Sequence, residues 1–161
     1  MPRILALDVG EKTIGVAICD ELETMALPGE TILRQEGKKK DMAAIRQLVS
    51  DTKVIEIVVG LPLKLDGTAG IQAEKIEAFI SLLRGSVRIP IFKQDERFST
   101  GEAEKALMAA NVRREKRKKT IDSMAACIIL QTYMDKKRNR LESESEAALL
   151  NFNDEPEIPN K

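Results

Sequence analysis

The chain has 161 residues, 43% hydrophobic and 32% charged, which is typical of one globular domain with its own core. It contains no histidine, which excludes Ser-His-Asp and Cys-His catalysis and most zinc sites. Any bound metal is therefore expected to be a hard cation held by carboxylates. No apolar run approaches the roughly 18 residues of a membrane span, and no secretion signal is evident, so we expect a cytoplasmic protein without a membrane partner.

The net charge of zero hides an uneven distribution. Residues 93–140 contain 13 Lys and Arg against 7 Asp and Glu, whereas residues 141–161 contain one Lys against 6 acids. We predict a folded domain over residues 1–138 and an acidic, mostly disordered tail over residues 139–161. Cys19 and Cys127 lie in apolar runs, so we expect both in the core as small residues, without a disulfide or a metal.

The hydrophobic pattern predicts an α/β fold with a mixed five-stranded sheet flanked by helices. An antiparallel hairpin comes first, and the later alternation of strands and helices indicates parallel strands. The predicted strands are Ile4–Asp8, Ile14–Cys19, Glu30–Leu33, Val54–Gly60 and Pro90–Gln94, and the predicted helices are Lys38–Asp51, Ala69–Arg84, residues 99–110 and Ile121–Tyr133.

Carboxylates occur on three of these elements where the fold would bring them together. Asp8 ends the first strand, Asp95 and Glu96 follow the last, and Asp122 lies on the buried face of an apolar helix. Sites in open α/β sheets form outside the carboxyl ends of the strands. Three clustered acids repel one another unless divalent cations bridge them, and two Mg²⁺ or Mn²⁺ ions about 4 Å apart are the usual arrangement for phosphodiester cleavage.

Each acid also has a purely structural interpretation. In this interpretation Asp8 caps the turn by accepting backbone N–H bonds. Glu96 has Arg97 beside it as an ion-pair partner, and Asp122 complements the positive end of a helix dipole. The pattern of residues does not distinguish Asp95 from Glu96.

Basic residues suitable for phosphate contacts surround these acids, although a merely solvated loop is the alternative for the longest cluster. Because aromatic residues make up only 3% of the chain, recognition should concern backbone and shape rather than base stacking. The candidate nucleic-acid contacts are Lys12, Arg97, Arg113, Arg114, Lys116, Arg117, Lys118 and Lys119.

From Ile4 to about Asp135 the motifs and their spacing resemble the YqgF (RuvX) family. They are Asp8-Val-Gly10 with Lys12 and Gly15-Val-Ala17, Val59-Gly60-Leu61-Pro62 with Asp66-Gly67-Thr68, Asp95-Glu96-Arg97, and Lys118-Lys119-x-Ile121-Asp122-x-x-Ala125-Ala126. The resemblance implies a ribonuclease H-like fold and a metal-dependent nuclease with Asp8, Glu96 and Asp122 as catalytic metal ligands. It therefore favours Glu96 over Asp95, and it leaves Asp66 as a stand-in for the fourth acid of many such nucleases.

The family is described as processing the 5′ end of pre-16S ribosomal RNA, or as resolving Holliday junctions in branched DNA. A resolvase is expected to be a homodimer and a processing ribonuclease can be a monomer, so the oligomeric state stays open. Two other functions remain: an actin-like ATPase, which would need a second such domain, and a nucleic-acid-binding module without catalysis. A P-loop is excluded, because residues 10–13 lack the Gly-Lys pair and the upstream glycine.

Overall fold

The computed structural model describes residues 3–62, 70–95 and 117–153, with the side chains of 117–122 and 151–153 excepted. No helix in these ranges has both the length and the apolar character that crossing a membrane requires. The elements are β1 (Ile4–Val9), β2 (Thr13–Cys19), β3 (Ala26–Pro28), β4 (Ile32–Leu33), α1 (Lys38–Thr52), β5 (Glu56–Leu61), α2 (Ile71–Ser86), β6 (Ile91–Asp95) and α3 (Arg117–Asn153).

The described strands form one mixed sheet in the order β3-β2-β1-β5-β6, with β4 also paired to β2. β1 and β2 are antiparallel, while β1 pairs with β5 and β5 with β6 in parallel. This confirms the predicted mixed α/β fold with a leading hairpin. The topology also brings the carboxyl ends of β1, β5 and β6 to one edge of the sheet, where the sequence predicts the carboxylate site.

The predicted count of five strands is wrong, since the described sheet has six. The predicted strand Glu30–Leu33 is only Ile32–Leu33, and Ala26–Pro28 forms an additional strand before it. β3 ends in Pro28 and lies at the sheet edge in the described order, where a residue without an N–H is tolerated. β3 and β4 both pair with β2 and have only three and two residues, so hydrophobic periodicity does not reveal them.

The sheet is covered on both faces, because its strands supply apolar residues to each side. α1 and α2 pack on one face against a core that includes Leu5, Leu7 and Val59. α3 packs on the other face against Ile4, Ala6 and their neighbours. Successive side chains of a strand point to opposite faces of the sheet, so alternate residues of β1 belong to the two different cores.

Helix α3 is bound to the sheet through polar as well as apolar contacts. The Gln131 Oε1 accepts a hydrogen bond of 3.1 Å from the Ala26 N–H. Near the amino ends of the parallel strands, Lys137 Nζ lies 2.9 Å from Oε1 of the buried Glu56. From Arg138 to Leu150 every side chain is exposed, although the helical backbone continues to Asn153. The domain boundary at residue 138 stays a prediction.

Both cysteines are buried free thiols, in agreement with the core role predicted for them. The Cys19 Sγ accepts a hydrogen bond of 3.1 Å from the Ile4 N–H. Burial raises the pKa of the Cys127 thiol to about 11, so this thiol stays protonated and unreactive near neutral pH.

Candidate active site

Asp8 occupies the carboxyl end of β1, on the face of the sheet that α3 covers. It directly faces Gly15 of β2 in the antiparallel register. On its other side, Leu7 pairs with Val59 of β5, and Gly60 follows Val59. Both neighbouring strands therefore carry glycine beside Asp8, which leaves space around the carboxylate that larger side chains would fill.

The Asp8 carboxylate is half-buried and receives no hydrogen bond from the residues that the structure describes. Burial raises its pKa, because a desolvated carboxylate loses hydration that nothing described replaces. The turn after it is closed by the backbone instead, with the Gly10 N–H donating to the Thr13 carbonyl at 2.9 Å. A carboxylate in this state is suited to bind a cation.

A cleft of about 300 Å³ lies between Asp8 and helix α3. Its polar wall comes from Asp8, Gln94 and Asp95, so the structure brings the ends of β1 and β6 together as the sequence predicts. Thr132 also lines it, and none of the described residues forms a hydrogen bond with the buried Thr132 Oγ1. The apolar wall consists of the α3 residues Ala125, Ile128 and Ile129.

Asp122 lies in α3, three residues before Ala125 and seven before Ile129, which are both in the cleft wall. Its neighbour Ser123 is completely buried and fixes this part of the helix to the sheet. The Ser123 hydroxyl donates to the Gly29 carbonyl at 3.0 Å and lies 3.2 Å from the Thr31 hydroxyl. These two contacts fix the position of the first described turns of α3, which contain Asp122, relative to the sheet.

The remaining predicted site residues are described less completely. Lys12 is exposed in the β1–β2 turn. Asp122 and three basic residues lie in α3, but their side chains are outside the description; the basic ones are Arg117, Lys118 and Lys119. The others lie outside the described residues altogether, as does the predicted helix over residues 99–110; they are Glu96, Arg97, Arg113, Arg114 and Lys116, together with Asp66.

Arg34 supports the site but was not predicted from the sequence. Its NH1 donates to the Gly10 carbonyl at 2.7 Å, and its backbone N–H donates to the Lys12 carbonyl at 2.9 Å. Its Nε donates to Asp41 at 2.9 Å, and its guanidinium lies 5.6 Å from the Phe79 ring centroid. Arg34 thus joins the turn after Asp8 to α1 and α2. These partners are distant in sequence, so no local pattern indicates them.

Comparisons with known proteins establish the family and the fold of this chain. The family model described as "RuvX: Holliday junction resolvase" matches residues 2–136. The chain belongs to the RuvX family. The match ends at residue 136, and from Arg138 to Leu150 every side chain of α3 is exposed. This exposed part of the helix in the RuvX-family chain therefore lies outside the family match.

Curated relatives match over nearly their whole length. A protein of Desulforamulus reducens is 48% identical over 83% of this chain and 96% of the relative. One of Clostridioides difficile is 45% identical over 85% of this chain and 96% of the relative. Both carry the name "Putative pre-16S rRNA nuclease".

Solved structures show the fold of this RuvX-family chain at much lower sequence identity. RuvC of Thermus thermophilus, in complex with a Holliday junction substrate, matches with a TM-score of 0.58 at 12% identity, over 86% of this chain and 96% of that chain. A second structure of the same RuvC gives a TM-score of 0.50 at 12% identity, over 85% and 96%. The ribonuclease H-like fold predicted from the motifs is thereby confirmed.

Proposed function

We propose that this protein is a divalent-metal-dependent nuclease that hydrolyses phosphodiester bonds in structured RNA, with the 5′ end of pre-16S rRNA as its substrate in the cytoplasm. The observation that carries the proposal is the half-buried Asp8 carboxylate, which has no partner among the described residues, in a cleft between the strand ends and α3. The names of its close relatives support the choice of substrate.

We assign the metal ligands as Asp8, Glu96 and Asp122. Asp8 fits a hard cation, because it offers carboxylate oxygens with no described partner and has glycines on both sides. The choice of Glu96 over Asp95 rests on the resemblance to the RuvX family, since Asp95 also lines the cleft.

Mg²⁺ or Mn²⁺ bound at this site would activate water and stabilise the leaving oxygen, as divalent cations do in nucleases. The chain's own residues have separate tasks in the proposal. Lys12 and the basic residues from Arg113 to Lys119 hold the phosphate backbone, while Arg34 keeps the β1–β2 turn in place through the Gly10 carbonyl. Arg97 would contact the phosphate next to the cleaved bond.

A cleavage assay tests this function, with a pre-16S fragment that carries its 5′ extension and with a synthetic four-way DNA junction. We expect wild-type protein to shorten the RNA in Mg²⁺ or Mn²⁺ and to be inactive in EDTA. Asp8→Asn should be inactive, whereas Asp20→Asn removes an acid at the other end of β2 and should stay active. Equal cleavage by wild type and Asp8→Asn would overturn the assignment.

Branched DNA is the second candidate substrate, since the matching family is described as a Holliday junction resolvase. Preferential cleavage of the junction, with two related cuts by a homodimer, would favour it over RNA processing. Metal-independent, salt-sensitive binding that survives Asp8→Asn, without cleavage of either substrate, would instead indicate a non-catalytic binding module.

A further inference from the structure

A groove between α1 and α2 lies on the face of the sheet opposite α3. It consists of two adjoining clefts of about 310 and 360 Å³, which share Lys38 in their walls. The first cleft begins at Val9 and Gly10, directly after Asp8 in the chain. Two strand residues span roughly 7 Å, so the groove starts close to the proposed catalytic edge.

The walls of this α1–α2 groove are basic although the whole chain is neutral. Among the described lining residues there are five cations and one acid, Glu11. The cations are Arg34, Lys38, Lys39, Arg46 and Lys75. A chain with 26 basic and 26 acidic residues has therefore concentrated positive charge in this groove.

Two of these cations already have acidic neighbours. Arg34 pairs with Asp41 at 2.9 Å, and Lys75 lies 3.9 Å from Glu11. The other three form no ion pair in the described part of the chain, and all three are exposed; they are Lys38, Lys39 and Arg46. Exposed cations in a concave surface attract polyanions, because the surrounding protein reduces the screening of their charge.

The spacing of these three cations fits a nucleic-acid backbone. Lys38 and Arg46 are eight residues apart on α1, which is about 12 Å along the helix axis. One strand of a duplex carries one phosphate per 3.4 Å of helix axis, so this distance spans about three phosphates. A compact anion such as a single carboxylate would meet only one of the three.

We propose that the α1–α2 groove binds the phosphate backbone of the nucleic acid that flanks the cleavage site. The strand held at Asp8 crosses the sheet edge over Gly10 and continues along Lys38, Lys39 and Arg46. This inference rests on the proposed nuclease function but assigns a separate binding surface. It explains why five cations and one acid line this groove in a chain of zero net charge.

The test is a binding titration, with wild-type protein and the triple variant Lys38→Gln, Lys39→Gln, Arg46→Gln. The probe is a 20-base-pair RNA duplex with a 5′ single-stranded extension, followed by fluorescence anisotropy in EDTA between 50 and 200 mM salt. We expect the variant to bind about tenfold more weakly at 100 mM salt. The slope of log affinity against log salt should become shallower by about two, because phosphate contacts release counterions.

A matched control removes three exposed cations from the middle of α3: Lys136→Gln, Arg138→Gln, Arg140→Gln. It should keep the affinity and salt slope of wild type. In cleavage assays the groove variant should raise KM and leave kcat at saturating RNA unchanged. Groove and control variants with the same affinity and slope would overturn the inference. The titration in EDTA measures binding alone. A wild-type protein that binds the duplex but does not cleave RNA would therefore contradict the nuclease proposal, while the comparison of groove and control variants would still test the groove.

Discussion

Replacing Asp8 by Asn should make the metal-free protein more stable while it abolishes cleavage. The Asp8 carboxylate is half-buried, its pKa is raised by burial, and no described residue donates a hydrogen bond to it. Removing such a charge should stabilise the folded state by about 1 kcal/mol, because an unsatisfied polar group costs roughly that much or more. For a domain of this size, that corresponds to an increase in Tm of about 2–4 °C.

The pH dependence of this difference follows from the sign of the pKa shift. Because the folded pKa lies above the ordinary value of 3.8, the stability of wild type falls as the pH rises from about 3.8 to the folded pKa, where the loss is complete. The advantage of Asp8→Asn should be complete above the folded pKa and should vanish as the pH falls to about 3.8. Thermal denaturation in EDTA between pH 3.5 and 8 measures this.

Adding Mg²⁺ should make wild type more stable than Asp8→Asn, which reverses their order in the metal-free state. A cation that binds only the folded wild type at 100 times its Kd contributes about 2.7 kcal/mol, whereas Asp8→Asn should gain much less. Asp20 provides the control, because its exposed carboxylate accepts hydrogen bonds from Thr24 and Met25 and has a lowered pKa. Asp20→Asn should be less stable than wild type at neutral pH and insensitive to Mg²⁺. If Asp8→Asn behaves like Asp20→Asn, Asp8 is a turn cap and our interpretation is wrong.

Four further substitutions test the packing of the fold. Arg34→Met leaves the buried Asp41 without its partner and should cost about 3–5 kcal/mol in urea denaturation. Gly10→Ala places a Cβ 2.9 Å from a backbone oxygen of the turn, so it should lower both cleavage and stability, the latter by about 1–2 kcal/mol. Gly85→Ala meets nothing within 4 Å in helix α2 and should stabilise by about 0.5–1 kcal/mol. Thr132→Val removes a buried hydroxyl that has no partner in the described part of the chain, so it should stabilise the fold by about 1 kcal/mol and raise the Tm measured by calorimetry.

Each of these expectations has a contrary result, which for Gly85→Ala is a loss of stability. Unchanged stability of Arg34→Met would mean that the Asp41 charge is balanced by something other than Arg34. A fully active Gly10→Ala would show that the turn tolerates a shift of its backbone. A destabilised Thr132→Val would indicate that the hydroxyl is satisfied, for example by a water molecule in the cleft.

Much of the fold follows from hydrophobic periodicity, because each element has its own local pattern. The apolar spacing predicts α1 almost to the residue, and the β-branched run Val54–Gly60 predicts β5 with a shift of two residues or less. Helix α3 was placed correctly over Ile121–Tyr133 but extends further at both ends. Its carboxyl-terminal part has exposed side chains and no apolar face toward the sheet, so periodicity does not detect it.

By itself, the sequence determined which residue types the site can use and at which strand end they occur. Asp8 after an apolar run, the absence of histidine and the family motifs were sufficient to propose carboxylate-based metal chemistry. Only the tertiary structure decided how Asp8 is surrounded, since its glycine neighbours and the cleft with Gln94 and Asp95 come from pairing between distant segments. The same holds for Arg34 and for the α1–α2 groove. Such contacts depend on register and helix packing, which no local pattern of residues specifies.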